Sequence, residues 1–204
     1  MKITHYNEVF PFIIIDEMYN SQELELVWEE LDFLCHKQKF ISDPHQAGTA
    51  IDEGGNALKQ NKCFWIDAVY KERSSSNLLT VNRKLFDDKM GVIKSHPSWF
   101  FSLLNCNRDT TLLSYYENSD YYLPHDDDAL VTSLTWFYKE PKKFSGGDLT
   151  LYYKDSKIQV ECKNNRNLIF PSCVTHSVDQ IHMDEKDLNK KMGRFCMTQF
   201  LSIQ

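Results

Sequence analysis

The stretch "TTLLSYYENSDYYLPHDDDALVTSLTWFY", residues 110–138, sets runs of β-branched and aromatic residues on either side of a histidine and three aspartates. Such runs read as strands, and the polar "ENSD" between the first two reads as a turn. The texture continues to the end of the chain, where "DLTLYY", "KIQVEC", "NLIFPS", "HSVDQI" and "RFCMTQFLSI" alternate with turn residues. With "TLLSYYE", "YYLPH" and "LVTSLTWFY" they make eight short strands, a number and spacing that predict an antiparallel sandwich or barrel.

Upstream the pattern is mixed. "PFIIIDEMY" reads as a buried strand, and it leads into a helix capped by Asn20 with Glu23, where Leu24, Val27, Leu31 and Leu34 recur at helical spacing. Residues 39–62 carry Pro44, Gly48 and Gly54-Gly55 among polar residues, which predicts a long loop of the kind that serves as a lid. A strand "CFWIDAVY" follows, then a second helix over "SNLLTVNRKLFDDKMGVI" with Leu78, Val81, Leu85 and Met90 on one side, and a further helical piece in "PSWFFSLL". These helices are expected to cover one outer face of the β structure. A length of 204 residues fits a single domain. Residues 1–107 would supply the supporting strands, lid and helices, and 108–204 the core.

The formal charge of −6 argues against a nucleic-acid backbone as main partner, since such proteins usually show a basic stripe. No apolar run approaches roughly 18 residues and the first ten residues lack a signal-peptide pattern, so a cytosolic protein is expected. Six cysteines occur without a C-x-x-C pair, which predicts reduced, mostly buried thiols.

On a strand, His125 and Asp127 would share one face, while Asp126 and Asp128 point away. Imidazole and carboxylate side by side are two thirds of the facial triad that holds non-haem iron(II) and leaves positions open for substrate and O₂. The H-x-[DE] pattern occurs a second time at His182, but in a polar stretch that reads as surface loop. A third ligand is available at His176, far enough along the chain for antiparallel strands to return it beside His125. Arg194 opens the apolar strand "RFCMTQFLSI", where burial without an anion would be costly. An ion pair with Asp148 or Asp179 and a bound carboxylate are both open readings of it.

The order H-x-D, then His, then Arg on successive strands resembles the 2-oxoglutarate and Fe(II)-dependent dioxygenases, and most closely their prolyl-hydroxylase branch. The resemblance covers residues 108–203. It includes a tyrosine ten residues before the first histidine, at Tyr115, another three before it, at Tyr122, the "SGGDLTL" hairpin, the strand "NLIFP" before His176, and the opening strand and helix. It implies a double-stranded β-helix (jelly-roll, α+β but mainly β) core with helices packed on one sheet. It further implies iron held by His125, Asp127 and His176, with 2-oxoglutarate on that iron and its far carboxylate on Arg194, aided by Thr198 and Tyr115. O₂ would be the second cosubstrate and ascorbate the reductant. The intact carboxylate at Asp127 disfavours halogenation.

Tyr122, Trp136 and Phe200 are expected at the substrate pocket; in the family, tyrosine often stands at the position of Trp136 and tryptophan at that of Phe200. Between His176 and Arg194 the polar "DEKDLNKKM" lengthens the usual interval. The branch implies a proline-containing peptide or protein as substrate, entering an aromatic mouth formed with Phe64, Trp65 and Tyr121. The same cofactor chemistry on a free amino acid, another side chain or a methylated nucleic acid is an alternative, as is a metal-binding jelly roll without turnover.

Overall fold

The computed structural model describes residues 1–36, 48–86, 91, 93, 95–102 and 106–203. Strands β1 (Lys2–Tyr6) and β2 (Phe12–Asp16) precede helix α1 (Ser21–His36). Next come β3 (Lys59–Gln60), β4 (Lys62–Trp65) and the short helices α2 (Ile66–Val69), α3 (Asn77–Val81) and α4 (Trp99–Ser102). The remainder is β: β5 (Arg108–Tyr116), β6 (Tyr121–His125), β7 (Val131–Phe137), β8 (Phe144–Ser145), β9 (Leu149–Tyr153), β10 (Ser156–Val160), β11 (Asn167–Pro171), β12 (His176–Val178), β13 (His182–Met183) and β14 (Arg194–Ser202).

Seven strands form a major sheet in the order β1-β2-β11-β7-β14-β5-β4, and five form a minor sheet in the order β10-β9-β12-β6-β3, with β8 and β13 paired apart. Neighbours are antiparallel throughout. The two sheets face one another as the antiparallel sandwich expected from the strand pattern, in the jelly-roll form that the family resemblance implies.

Period-two alternation sends each major-sheet strand into two cores. Phe12, Leu134, Trp136, Leu168, Phe170 and Cys196 pack between the sheets with Leu149 and Leu151 of β9. Their sequence neighbours Ile13, Phe137, Ile169, Phe195 and Met197 face the other way, against Val27, Leu31 and Leu34 of α1 and Leu78, Leu79 and Val81 of α3. The α1 cap forms as expected: Asn20 and Glu23 each accept the other's backbone N–H.

Three local expectations need correction. The strand through "CFWIDAVY" ends at Trp65, where the chain turns into α2. Among the described residues the second helix is regular over α3, passes into a 3₁₀ turn over Asn82–Leu85 and is helical again at Gly91 and Ile93; Met90 lies outside the described residues. Asn82 is buried there and donates to Thr111 Oγ1 of β5, a tertiary bond that helical periodicity does not announce. The proposed lid is shorter than drawn: residues 39–47 lie outside the described residues, while the chain after Gly48 makes a bridge between Ile51 and Ala57 and then β3, an edge strand beside β6. Strand β1, paired along its length with β2, was not expected at all.

Candidate active site

The minor sheet brings the two histidines together. His125 ends β6, His176 begins β12, and they are cross-strand partners with ring centroids 4.2 Å apart. Each Nδ1 lies against the backbone carbonyl two residues upstream, Leu123 at 2.8 Å and Val174 at 3.0 Å. With Nδ1–H donating there, each ring presents its Nε2 lone pair inward, the arrangement that fixes a ligating imidazole. Burial, and then the neighbouring His176, hold His125 down at about 3, so that ring is neutral near pH 7.

Asp127 completes the cluster, though not by sharing a strand face. It lies beyond the end of β6, where its N–H donates to Ser172 O at 3.1 Å. Its Oδ2 accepts from Thr132 Oγ1 at 2.6 Å, and Thr132 is in turn within 2.9 Å of Ser172 Oγ. The carboxylate is thereby aimed at both rings, 3.9 Å from His125 Nε2 and 3.4 Å from His176 Nε2. One ligand atom from each of the three residues lies within 4.8 Å of the others. Two imidazoles and one carboxylate on one side of a cavity suit a divalent iron with open positions. His182 is exposed, outside this cluster.

Arg194 reaches the same cavity from the major sheet. It is only 1% exposed, and its Nε and Nη1 have no hydrogen-bond partner. Asp148 accepts instead from Cys162 N–H and Asp179 from Gln159, so the ion-pair reading of Arg194 falls among the described residues. The guanidinium carbon sits 4.7 Å from the Tyr116 ring and 5.7 Å from that of Trp136. Gly147, with φ of +75°, makes room for it: a Cβ there would meet Arg194 Cδ at 3.0 Å and Ile181 Cδ1 at 2.4 Å. A buried guanidinium with two unpartnered nitrogens, opening on a cavity, calls for an anion, and a carboxylate fits it bidentately.

The β14 alternation puts Thr198 and Phe200 on the cavity wall with Arg194, and Tyr122 lines it from β6, stacked on His125 with centroids 3.4 Å apart. Two expected site residues are not there. Tyr115 is the cross-strand partner of Phe195 and shares its face, in the core beneath α1; Tyr116, opposite Arg194, is the tyrosine that lines the cavity. Tyr115 donates to Glu117 Oε1 and accepts from Gly193 N–H, which ties the end of β5 to the start of β14. Trp136 is fully buried behind Arg194 rather than in a substrate mouth. Of the other mouth aromatics, Phe64 belongs to the helix-side core, whereas Trp65 packs on Phe200. Lys59, on β3, lines the cavity without having been expected there.

Residues 111–202, which hold all four of His125, Asp127, His176 and Arg194, match the family model described as the 2OG-Fe(II) oxygenase superfamily. This part of the chain is similar to that superfamily. No curated protein sequence matches it. Among solved structures, it is similar to a prolyl hydroxylase from Trichoplax adhaerens in complex with a hypoxia inducible factor peptide fragment, at 15% identity and a TM-score of 0.66 over 94% of this chain and 83% of that one. A Pseudomonas putida prolyl-4-hydroxylase gives 15% identity and a TM-score of 0.59 over 95% and 92%. The viral collagen prolyl hydroxylase of Paramecium Bursaria Chlorella virus-1 gives 11% and 0.57 over 94% and 96%. At these identities the likeness is one of fold. No helix among the described residues is long and apolar enough to cross a membrane.

The two tyrosines are expected to separate cleanly on substitution. Tyr115→Phe removes a buried hydroxyl with two partners and should cost about 1–2 kcal/mol of stability. It leaves 2-oxoglutarate affinity within about twofold, because the ring faces the other core. Thermal unfolding and calorimetric titration of the ligand check both halves.

Proposed function

We propose that the protein is an Fe(II)- and 2-oxoglutarate-dependent hydroxylase whose substrate is a prolyl residue in a peptide or protein. The observation that carries the cofactor part is the meeting, in one cavity, of the His125–Asp127–His176 cluster with the buried guanidinium of Arg194, two of whose nitrogens lack partners. Support for the prolyl part comes from three of the fold neighbours, which are prolyl hydroxylases by description.

In this reading His125, Asp127 and His176 hold the iron, and Arg194 binds the far carboxylate of 2-oxoglutarate, with Thr198 beside it. Tyr116 takes the wall position expected for Tyr115. When bound, iron and 2-oxoglutarate with O₂ supply the oxidative chemistry, in which decarboxylation to succinate and CO₂ accompanies insertion of one oxygen atom into a substrate C–H bond. The chain's own task is positioning. Thr132 and Ser172 keep Asp127 in one orientation, the Leu123 and Val174 carbonyls keep both imidazoles turned inward, and the apolar walls from Leu134, Leu149 and Phe200 exclude water.

The experiment is incubation of purified protein with Fe(II), 2-oxoglutarate, ascorbate and a panel of proline-containing peptides, read by succinate formation and by a mass increase on proline equal to one oxygen atom. Succinate with oxygen on another residue would retain the cofactor reading and discard prolyl specificity. No iron-dependent succinate with any peptide would contradict both.

A further inference from the structure

Lys59 lies on β3, the edge strand of the minor sheet, where its backbone is paired with Tyr122 of β6. It is 5% exposed and lines the same cavity as the metal cluster. Its Nζ lies 5.1 Å from the centroid of the Tyr122 ring, and that ring is stacked on His125. Among the described residues no carboxylate lies within ion-pair distance of this ammonium, in contrast to Lys84, Lys139 and Lys186, which each have one. An aromatic face offsets only part of what a lysine loses on leaving water.

The charges of the cavity lining do not cancel. Two cations, Lys59 and Arg194, stand against one carboxylate, Asp127. A divalent iron adds two positive charges and 2-oxoglutarate removes two. With Arg194 engaged by the cosubstrate, the charge left over in the loaded cavity is at Lys59, on the wall beside the iron-facing ring of His125.

Resting on the hydroxylase reading above, we propose that Lys59 is a specificity-determining residue that binds a carboxylate carried by the substrate next to the carbon that is hydroxylated, so that the preferred peptide has an acidic residue adjacent to its target proline. The ammonium is held from two sides, by pairing of β3 with β6 and by the Tyr122 ring, and it accepts a point charge without a fixed angular demand. An acidic side chain next to the target would remove the unpaired charge, whereas an amide of the same shape would leave it buried. This gives discrimination through a group the site leaves unsatisfied with the wrong ligand.

The test uses protein loaded with Mn(II) and 2-oxoglutarate under nitrogen. Calorimetry first establishes that both bind; failure at this step counts against the hydroxylase reading itself. Capped tripeptides with central proline and Glu or Gln on one side or the other are then titrated. Wild-type protein is expected to bind at least one Glu peptide roughly tenfold more tightly than its Gln counterpart at low salt. Lys59→Met should bring that ratio to within about twofold and Lys59→Arg restore most of it, with 2-oxoglutarate affinity changed by less than about twofold in both. Equal binding of Glu and Gln peptides by wild type overturns the proposal, as does a preference that survives Lys59→Met or the failure of every peptide to bind loaded protein. Loss of 2-oxoglutarate affinity in Lys59→Met also overturns it, because Lys59 would then serve the cosubstrate.

Discussion

Arg194→Met is expected to abolish tight 2-oxoglutarate binding and, in the ligand-free protein, to raise the melting temperature. The first effect follows from removing the one arginine among the described residues that lines the cavity. Truncating one partner of a buried charge pair typically costs about 2–5 kcal/mol, or roughly 30- to several-thousand-fold in affinity, because the other charge stays buried and unpaired. The second effect has the opposite sign for the same reason. Without ligand, Arg194 is 1% exposed and leaves two nitrogens without partners, a state that disfavours the folded protein. Methionine fills similar volume between Tyr116, Trp136 and Ile181 without a charge, and such replacements stabilise by about 1–4 kcal/mol where they have been made. Thermal unfolding with and without 2-oxoglutarate reads both. The wild type should gain stability on adding ligand and the variant should not; a variant less stable without ligand and still responsive to it would show that Arg194 is a structural residue.

His176→Ala and Thr132→Val form the second pair. Loss of His176 removes one of the three proposed metal ligands and the cross-strand partner of His125, and iron-dependent succinate formation should fall by about 10³-fold or more, about 4 kcal/mol in barrier terms. Thr132→Val keeps all three ligands but removes the donor at 2.6 Å from Asp127 Oδ2. Loss of such a supporting bond costs roughly 10- to 100-fold in metal affinity, so this variant should recover activity as Fe(II) is raised while His176→Ala does not. His182→Ala, in the exposed second H-x-D, should match wild type. Equal loss in the Thr132 and His176 variants at saturating iron would mean that Thr132 is needed for folding rather than for orienting the carboxylate.

How legible all this was in the sequence depends on how far each feature relies on register. His125, His176 and Arg194 could be singled out because these types are expensive to place among apolar strands, and they occur few times. Asp127 was found on an argument the structure does not use: it lies past the strand end, held by Ser172 and Thr132, both distant in sequence. Tyr115 was misassigned because spacing from His125 counts across the turn at residues 117–120, whereas the face of a β5 residue is set by pairing with β14, where Tyr116 meets Arg194 and Tyr115 meets Phe195. Counting strand parity from Arg194 would have chosen Tyr116, had that register been knowable. Lys59 had no local signal, since only the pairing of β3 with β6 lifts it out of a polar loop and into the cavity wall. The jelly roll was the easier part, because alternation between two cores leaves its mark on every long strand.

The proposed function requires one cavity to hold a divalent metal on His125, Asp127 and His176 and 2-oxoglutarate between that metal and Arg194. Crystals grown with Mn(II) and 2-oxoglutarate and measured at the manganese absorption edge test it most directly. The account predicts a single anomalous peak bonded to both Nε2 atoms and an Asp127 oxygen, with the far carboxylate of 2-oxoglutarate on the Arg194 guanidinium. A peak elsewhere, or a carboxylate seated on Lys59 with Arg194 still unpartnered, would contradict it.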